Sequence, residues 1–512
     1  MDINILSENR RLLPGAYSTY KNPKSVVIVG GGAAGWLTAL VLKKFTPTQK
    51  ITLIESKEIG ILGAGEGSVP LLATLLFDYL KLSPVEFYKK TNATFKYGIS
   101  FENWNGDNEK FFHSFTAANW GKKIYSDASL DDTLVSNTAF NYFLNNRLSP
   151  FIKDEHTKQY RFQLPHSYHF DAHLLADFLK EEAIKRGIIH LEGKVINFEA
   201  NEENYITNIL LEGGQNVSCD FIYDCTGFKR LLIGKFYQTK WKSYSDRLPV
   251  KKALPFQLKI NNNKFLTCTH AIALKHGWVW QIPLQNRYGC GYVFDSDYIT
   301  PDQAKIEIEQ HFGHEVTVPR IIDFNAGAYE KVCVKNCIAI GLSMGFTEPL
   351  EATSILLTIL QLNFLRDGYN LRHIYSYDQK TIEKFNNYMN EVNESVVNFL
   401  HMHYLTDRKD SLFWQEFRVK NKTPKVVQNI IERNNGPTDE KNLYTSNPYA
   451  VFGVESWKIV LNGLDLINKL PFQKEQIFKH AYEMVQQLPV LEPMDDLMSN
   501  LNSGWTINFT LK

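Results

Sequence analysis

Three glycines and a carboxylate mark the first place where this chain could do chemistry. Gly30, Gly32 and Gly35 fall on a G-x-G-x-x-G spacing, with Ala33 and Ala34 inside it, and Glu55 ends the next apolar run. Glycines at this spacing let a pyrophosphate approach the backbone, where the unpaired N–H groups of a helix N-terminus face it. A carboxylate at the end of the following strand can accept hydrogen bonds from a ribose. The implied ligand is a dinucleotide. Lys96 lies in an alternating run, NATFKYGISFENW. A lysine in such a run is most often on a solvated outer face, but it can also point into a ligand cavity. His113 and Phe115, two apart in FFHSF, share one side of an extended segment. A histidine beside aromatics is more often packed in a core than catalytic.

The elements that must position these residues follow from periodicity. SVVIV, residues 25–29, reads as a buried strand, residues 39–45 as a helix, and ITLIES as a second strand closing on Glu55. The next stretch, KEIGILGAGEGSVP, contains Gly65 and Glu66 and reads either as a strap across a bound cofactor or as an ordinary long connection. Alternation from Phe95 sends Tyr97, Ile99 and Phe101 with it to one side and Lys96, Gly98 and Ser100 to the other. IYDCTGFKR is a strand entering a glycine turn, and residues 255–295 alternate like antiparallel sheet. CIAIGLSMGF is again strand and glycine turn, with Gly341 at the turn, and beyond about Arg372 the pattern is mostly helical. IYDCTGFKR resembles the second flavin-contacting turn of FAD enzymes of the glutathione-reductase type, and that resemblance implies an α/β fold, an FAD-binding fold of the glutathione-reductase and aromatic-monooxygenase type with a mostly helical C-terminal substrate subdomain. Its expected parts are an extension over 1–23, an FAD-binding domain over 24–372 and a helical subdomain over 373–512. An insertion near 105–165 is expected to contribute to the substrate site.

With 512 residues and 44% hydrophobic content the chain can bury a large core. The 56 Lys and Arg balance 55 Asp and Glu to a net charge of +1, which points to neither nucleic acid nor an anionic membrane. Six cysteines lie in apolar runs without C-x-x-C spacing and read as reduced core residues of a cytoplasmic protein, with no metal site expected. Neither a signal peptide nor a bilayer-spanning apolar segment is visible.

At GWVWQIP the reading sharpens. Trp278, Trp280, Ile282 and Pro283 form the W-x-W-x-I-P pattern of flavin-dependent halogenases. GGGAAGW, GAGEGSVP, NATFKYGISFENW, HFDAHLLADFL, DCTGFKRLL, GCGYVF, GLSMGFTEPLEATSI and DRKDSLFW resemble successive segments of the tryptophan halogenase family in the same order. The resemblance covers about residues 24–415 and implies an enzyme. FAD, reduced by a separate reductase and acting with O2, oxidises a halide to hypohalous acid. That species travels to a lysine, here Lys96, and an indole-like aromatic substrate is halogenated with help from a glutamate, here Glu351. The resemblance also assigns the cofactor to Gly30, Gly32, Ala33, Ala34, Gly35, Glu55, Gly65, Glu66 and Gly341, and the halide to backbone N–H groups at Thr353 and Ser354. It sets His113 and Phe115 along the substrate, and the tryptophan pair between substrate and flavin.

Two departures stand out. The family's Ser-Thr-Gly after the glutamate is Ala352-Thr353-Ser354 here, and the C-terminal clamp for a free amino acid has no clear match in SNPYAVFGVESWKIVLNGLD. The first suggests a preference for bromide or iodide over chloride, and the second leaves free tryptophan open against another indole, a phenol-like compound or a larger substrate. An FAD aromatic hydroxylase and a non-catalytic flavin-binding protein are the competing readings. A homodimer is also left open.

Overall fold

The computed structural model describes residues 23–58, 65–115, 132–162, 164–260, 267–435, 451–467, 479 and 493–508. Nearly all of the expected N-terminal extension and part of the 105–165 insertion lie outside these residues.

Two sheets frame the site. The first has six strands in the order Ile189–Glu192, Lys50–Glu55, Ser25–Val29, Phe221–Asp224, Cys337–Ala339 and Cys333–Val334. All neighbours in it are parallel except the last pair. Parallel strands are covered on both faces, which is why SVVIV and ITLIE are continuous apolar runs. The helix after the first strand is longer than its apolar stripe suggested, starting at Ala33 immediately after the glycines. It packs on the Ala172–Lys185 helix, which Asp171 caps by accepting from the N–H groups of His173 and Leu174.

The second sheet has seven strands, ordered Ile322–Asp323, Lys252–Lys259, Arg287–Phe294, Gly277–Pro283, Thr269–Leu274, Gly98–Glu102 and Lys110–Ser114. The expected alternation from Phe95 is broken here. Thr94–Lys96 pairs with Ser167–Phe170 in a separate small sheet, whereas Gly98–Glu102 belongs to the large one. Changing sheets at Tyr97 resets the pleat, so Lys96 and Ile99 line the same cavity while Tyr97 packs against Phe140.

Helices dominate the later part of the chain. Gln379–His403 runs for 25 residues, with Asp378 accepting from Thr381 N–H at its start. Its buried face carries Phe385, Met389, Val392, Val396, Phe399 and His403, a helical spacing with no break. All six cysteines are free and buried. No helix among the described residues is long and apolar enough to cross a membrane.

Candidate active site

A cleft of about 940 Å³ opens at the carboxyl ends of the parallel strands and continues beneath the large sheet. The glycine residues explain its first half. Gly30 has φ +116°, and a Cβ there would lie 2.1 Å from the carbonyl oxygen of Cys225. One at Gly35 would lie 1.9 Å from the carbonyl oxygen of Gly30. These two are fixed by the tight packing of turn against strand and helix. A Cβ at Gly32, by contrast, meets nothing within 4 Å. That open space at a helix N-terminus, flanked by Gly31, Ala33 and Ala34 in the cleft wall, suits a pyrophosphate. The cradle therefore fits the dinucleotide that the sequence implies.

Glu55 closes this end of the cleft. Its Oε1 lies 2.9 Å from His190 Nε2 and pairs with Lys180. The other oxygen lies over Gly31, 1.6 Å from where a Cβ there would stand. Lys180, which the sequence reading did not assign, thus holds the carboxylate in the cleft wall. On the far side Asp224 is no ligand candidate. It is fully buried and accepts from Thr226 N–H and Oγ1 and from the N–H groups of Leu232 and Ile233, fixing the turn that carries Gly227. Gly341, at φ +66°, lies where a Cβ would come 2.9 Å from that of Ala34. Gly65 and Glu66 also line the cleft.

The second half holds the reactive groups. Lys96 is 1% exposed, donates to the Ser68 carbonyl at 3.0 Å and lies 5.4 Å from the centre of the Phe115 ring. Burial lowers its pKa to about 8, against the opposing pull of Glu351. Glu351 is 5% exposed. Its Oε1 accepts from His113 Nδ1 at 2.8 Å and lies 3.3 Å from His403 Nε2. Burial alone would raise this carboxyl, but the two histidines outweigh it and hold Glu351 well below the usual carboxylate range. Glu351 and Ala352 have φ of +63° and +55°, and helix Thr353–Leu365 starts directly after them. Non-glycine residues in this conformation store strain, which places the carboxylate at the mouth of the helix.

Trp278 and Trp280 share a strand and a face, with ring centroids 6.4 Å apart. Both line the cleft, as does Ile282, while the Pro283 carbonyl accepts from Thr94 Oγ1 at 2.7 Å and ties this strand to the lysine strand. Trp280 lies over Gly291, where a Cβ would come within 2.0 Å of the indole. Of the two expected halide residues, Ser354 lines the cleft. Thr353 is fully buried, its Oγ1 3.1 Å from that of Thr347.

A glycine cradle, a buried lysine and a strained glutamate thus lie along one cleft. The profile of the tryptophan halogenase family covers residues 25–478. The chain belongs to the tryptophan halogenase family. It is 31% identical over 450 residues to tryptophan 6-halogenase SttH of Streptomyces toxytricini, covering 81% of this chain and 84% of that one. Against tryptophan 7-halogenase RebH of Lentzea aerocolonigenes the identity is 29% over 502 residues, 90% and 93% of the two chains. Among solved structures it is similar to Xcc4156, a flavin-dependent halogenase from Xanthomonas campestris. That likeness has a TM-score of 0.81 and 28% identity over 96% of this chain and all of the other. The protein is a flavin-dependent halogenase, an oxidoreductase with the α/β fold expected of it.

Around Glu351 and His113 the fold also packs residues that sequence reasoning did not assign. His403 was invisible as anything but the last turn of an amphipathic helix. Phe399 lies 5.9 Å from His113, Phe452 stacks on Phe399 at 3.8 Å, and Trp457 meets Phe399 edge-on at 5.1 Å. These rings form an aromatic cluster behind His113 that SNPYAVFGVESW did not reveal by pattern. The part of that motif before Val451 lies outside the described residues.

Proposed function

We propose that this halogenase delivers oxidised halogen through Lys96 to an indole-like aromatic ring, with Glu351 as the base beside that ring. Bound FAD, supplied reduced by a separate reductase, together with O2 oxidises the halide. The observation that carries the reading is that Lys96 and Glu351, both buried, line the one cleft that also contains the glycine cradle. Lys96 suits delivery because burial favours its neutral amine, which can hydrogen-bond hypohalous acid or carry the halogen. Glu351 is ionised at every working pH, so it can stabilise positive charge developing on the ring and take the ring proton. Trp278, Trp280 and Ile282 fill the space between the two halves and keep the substrate away from the flavin. Phe115 beside Lys96 offers a flat apolar surface suited to an aromatic substrate, and His113, backed by the Phe399–Phe452 stack, holds Glu351 next to it. Backbone N–H groups at Thr353 and Ser354, in the first turn of a helix, suit a halide.

Aromatic substrates screened with chloride, bromide and iodide, read by mass spectrometry, test this proposal. Halide-dependent mass shifts on indoles support it. Hydroxylated product formed without halide would replace it with the monooxygenase reading.

A further inference from the structure

Two glutamates three residues apart are gripped by consecutive residues at the end of one helix. His403 reaches Glu351, and Tyr404 donates to Glu348, its hydroxyl lying 3.0 Å from both carboxyl oxygens. The same Tyr404 hydroxyl accepts from Trp278 Nε1 at 3.1 Å. The result is a chain from the first tryptophan of W-x-W-x-I-P, through the helix end, to the first glutamate of the Glu-Pro-Leu-Glu turn. Glu348 and Tyr404 are fully buried, and Trp278 is 1% exposed. None of the roles assigned above uses Glu348 or Tyr404.

The two carboxyls are driven in opposite directions. Burial raises Glu348 to about 8, the hydrogen bond from Tyr404 opposing it, so it carries its proton at neutral pH. Glu351 is held ionised by its histidines. Environments that push two neighbouring carboxyls apart give them different roles. Asp295, within electrostatic reach of Tyr404, is itself paired with Lys251 at 3.0 Å. A negative charge at Glu348 would be buried with Tyr404 as its hydrogen-bond partner and no cation beside it, whereas a neutral acid can sit there at little cost.

We propose that Tyr404 and Glu348 are positioning residues that hold Trp278 and the Glu351 turn in one arrangement. They thereby set the share of oxidised halide that ends on the aromatic substrate. The proposal rests on the halogenase reading above. When the clamp is loosened, the partition between the cleft's two halves shifts, and hypohalous acid escapes to water before it meets the ring.

The test compares Tyr404→Phe, Glu348→Gln and wild type, with reduced FAD supplied in excess and tryptophan and indole as probe substrates. Product formed per flavin oxidised is measured alongside FAD affinity. Tyr404→Phe removes both hydrogen bonds of the hydroxyl and should lower this ratio about fivefold, with FAD affinity unchanged. Glu348→Gln, neutral and of the same shape, should keep most of the ratio. A wild-type ratio in Tyr404→Phe overturns the proposal, as does equal loss of flavin oxidation and product, which would mark a general structural role. A second measurement needs no turnover: the melting temperature of Glu348→Gln against wild type from pH 5 to pH 9. An acid whose folded pKa is raised has its full stability below the unfolded value of about 4.5 and loses it as pH rises toward 8. The glutamine variant should therefore gain on wild type across that window. Parallel curves overturn the neutral acid. If wild type halogenates neither probe, the functional reading fails for these substrates, and the melting comparison still judges Glu348.

Discussion

Lys96 Nζ donates to the carbonyl of Ser68 at 3.0 Å, which ties the buried amine to the segment that follows Glu66 and Gly67. A Cβ at Gly67, one residue before, would approach Thr269 Oγ1 to 3.1 Å and Nζ to 3.2 Å, so the backbone passes close beside the amine. The lysine is thus anchored by backbone on one side and open to the cleft on the other.

That placement makes the lysine's protonation state a functional variable. With the pKa lowered to about 8 by burial, the neutral amine grows from a minority at pH 7 to the majority at pH 9. In Glu348→Gln, where no second group ionises near pH 8, halogenation per flavin oxidised should rise over this range and level off above it, provided Glu351 stays ionised throughout. Lys96→Ala should abolish product while flavin oxidation continues, and Lys96→Arg, which stays charged, should fail as well. Product at the wild-type rate from Lys96→Ala would remove the lysine from the mechanism.

Gly32→Val separates ligand space from folding space. No protein atom lies within 4 Å of a Cβ at this position, so the variant should melt within a few degrees of wild type. The new side chain stands where a pyrophosphate would lie, so FAD affinity should fall by at least about tenfold. Titration of FAD by fluorescence quenching against the folded variant gives the answer. Unchanged affinity would mean that the cofactor does not use this cradle.

Glu351 and its two histidines make a third case. Glu351→Gln should reduce the halogenation rate roughly 10²-fold, the lower end of what a positioned base supplies. In wild type the carboxylate stays ionised from pH 5 to pH 9, so no acid limb of the rate profile belongs to it. Replacing His113 by Phe removes the strongest opposition to burial, and the Glu351 pKa should climb toward and above the usual carboxylate range. An acid limb should then appear in the profile of His113→Phe. A profile unchanged in shape would show that the histidine does not control the carboxyl.

The fold was legible because it rests on local patterns. SVVIV, the glycines and ITLIE name a strand, a turn and a strand whatever surrounds them, and the W-x-W-x-I-P strand is equally self-contained. What the sequence obscured depends on contacts distant along the chain. Alternation carried Lys96 to the face opposite Ile99, and only the change of sheet at Tyr97 brings both into one cleft. His403 and Tyr404 look like ordinary last-turn residues, and their roles arise from packing a 25-residue helix against a turn some fifty residues earlier. Lys180 reads as the polar face of an amphipathic helix until Glu55 is placed beside it.

Halide choice is the property that the Ala352-Thr353-Ser354 turn puts to the test. Ser354 lines the cleft, and Thr353 starts the helix after two residues of positive φ, so the backbone N–H groups available to an anion are fixed by a strained turn. A side chain at 354 narrows the approach to those donors compared with glycine. Donors held at imperfect distance compensate less of an ion's hydration, and the smaller halide loses more hydration when it leaves water. Bromide and iodide are also more easily oxidised than chloride. The expected outcome is a preference for bromide or iodide, measured as the ratio of brominated or iodinated to chlorinated product at equal halide concentrations. Ser354→Gly should move that ratio toward chloride without changing FAD affinity. Mainly chlorinated product from wild type would show that the serine hydroxyl serves as a good donor instead. A bromide preference that Ser354→Gly leaves in place would locate its cause elsewhere in the turn, with Ala352→Ser as the next variant to compare.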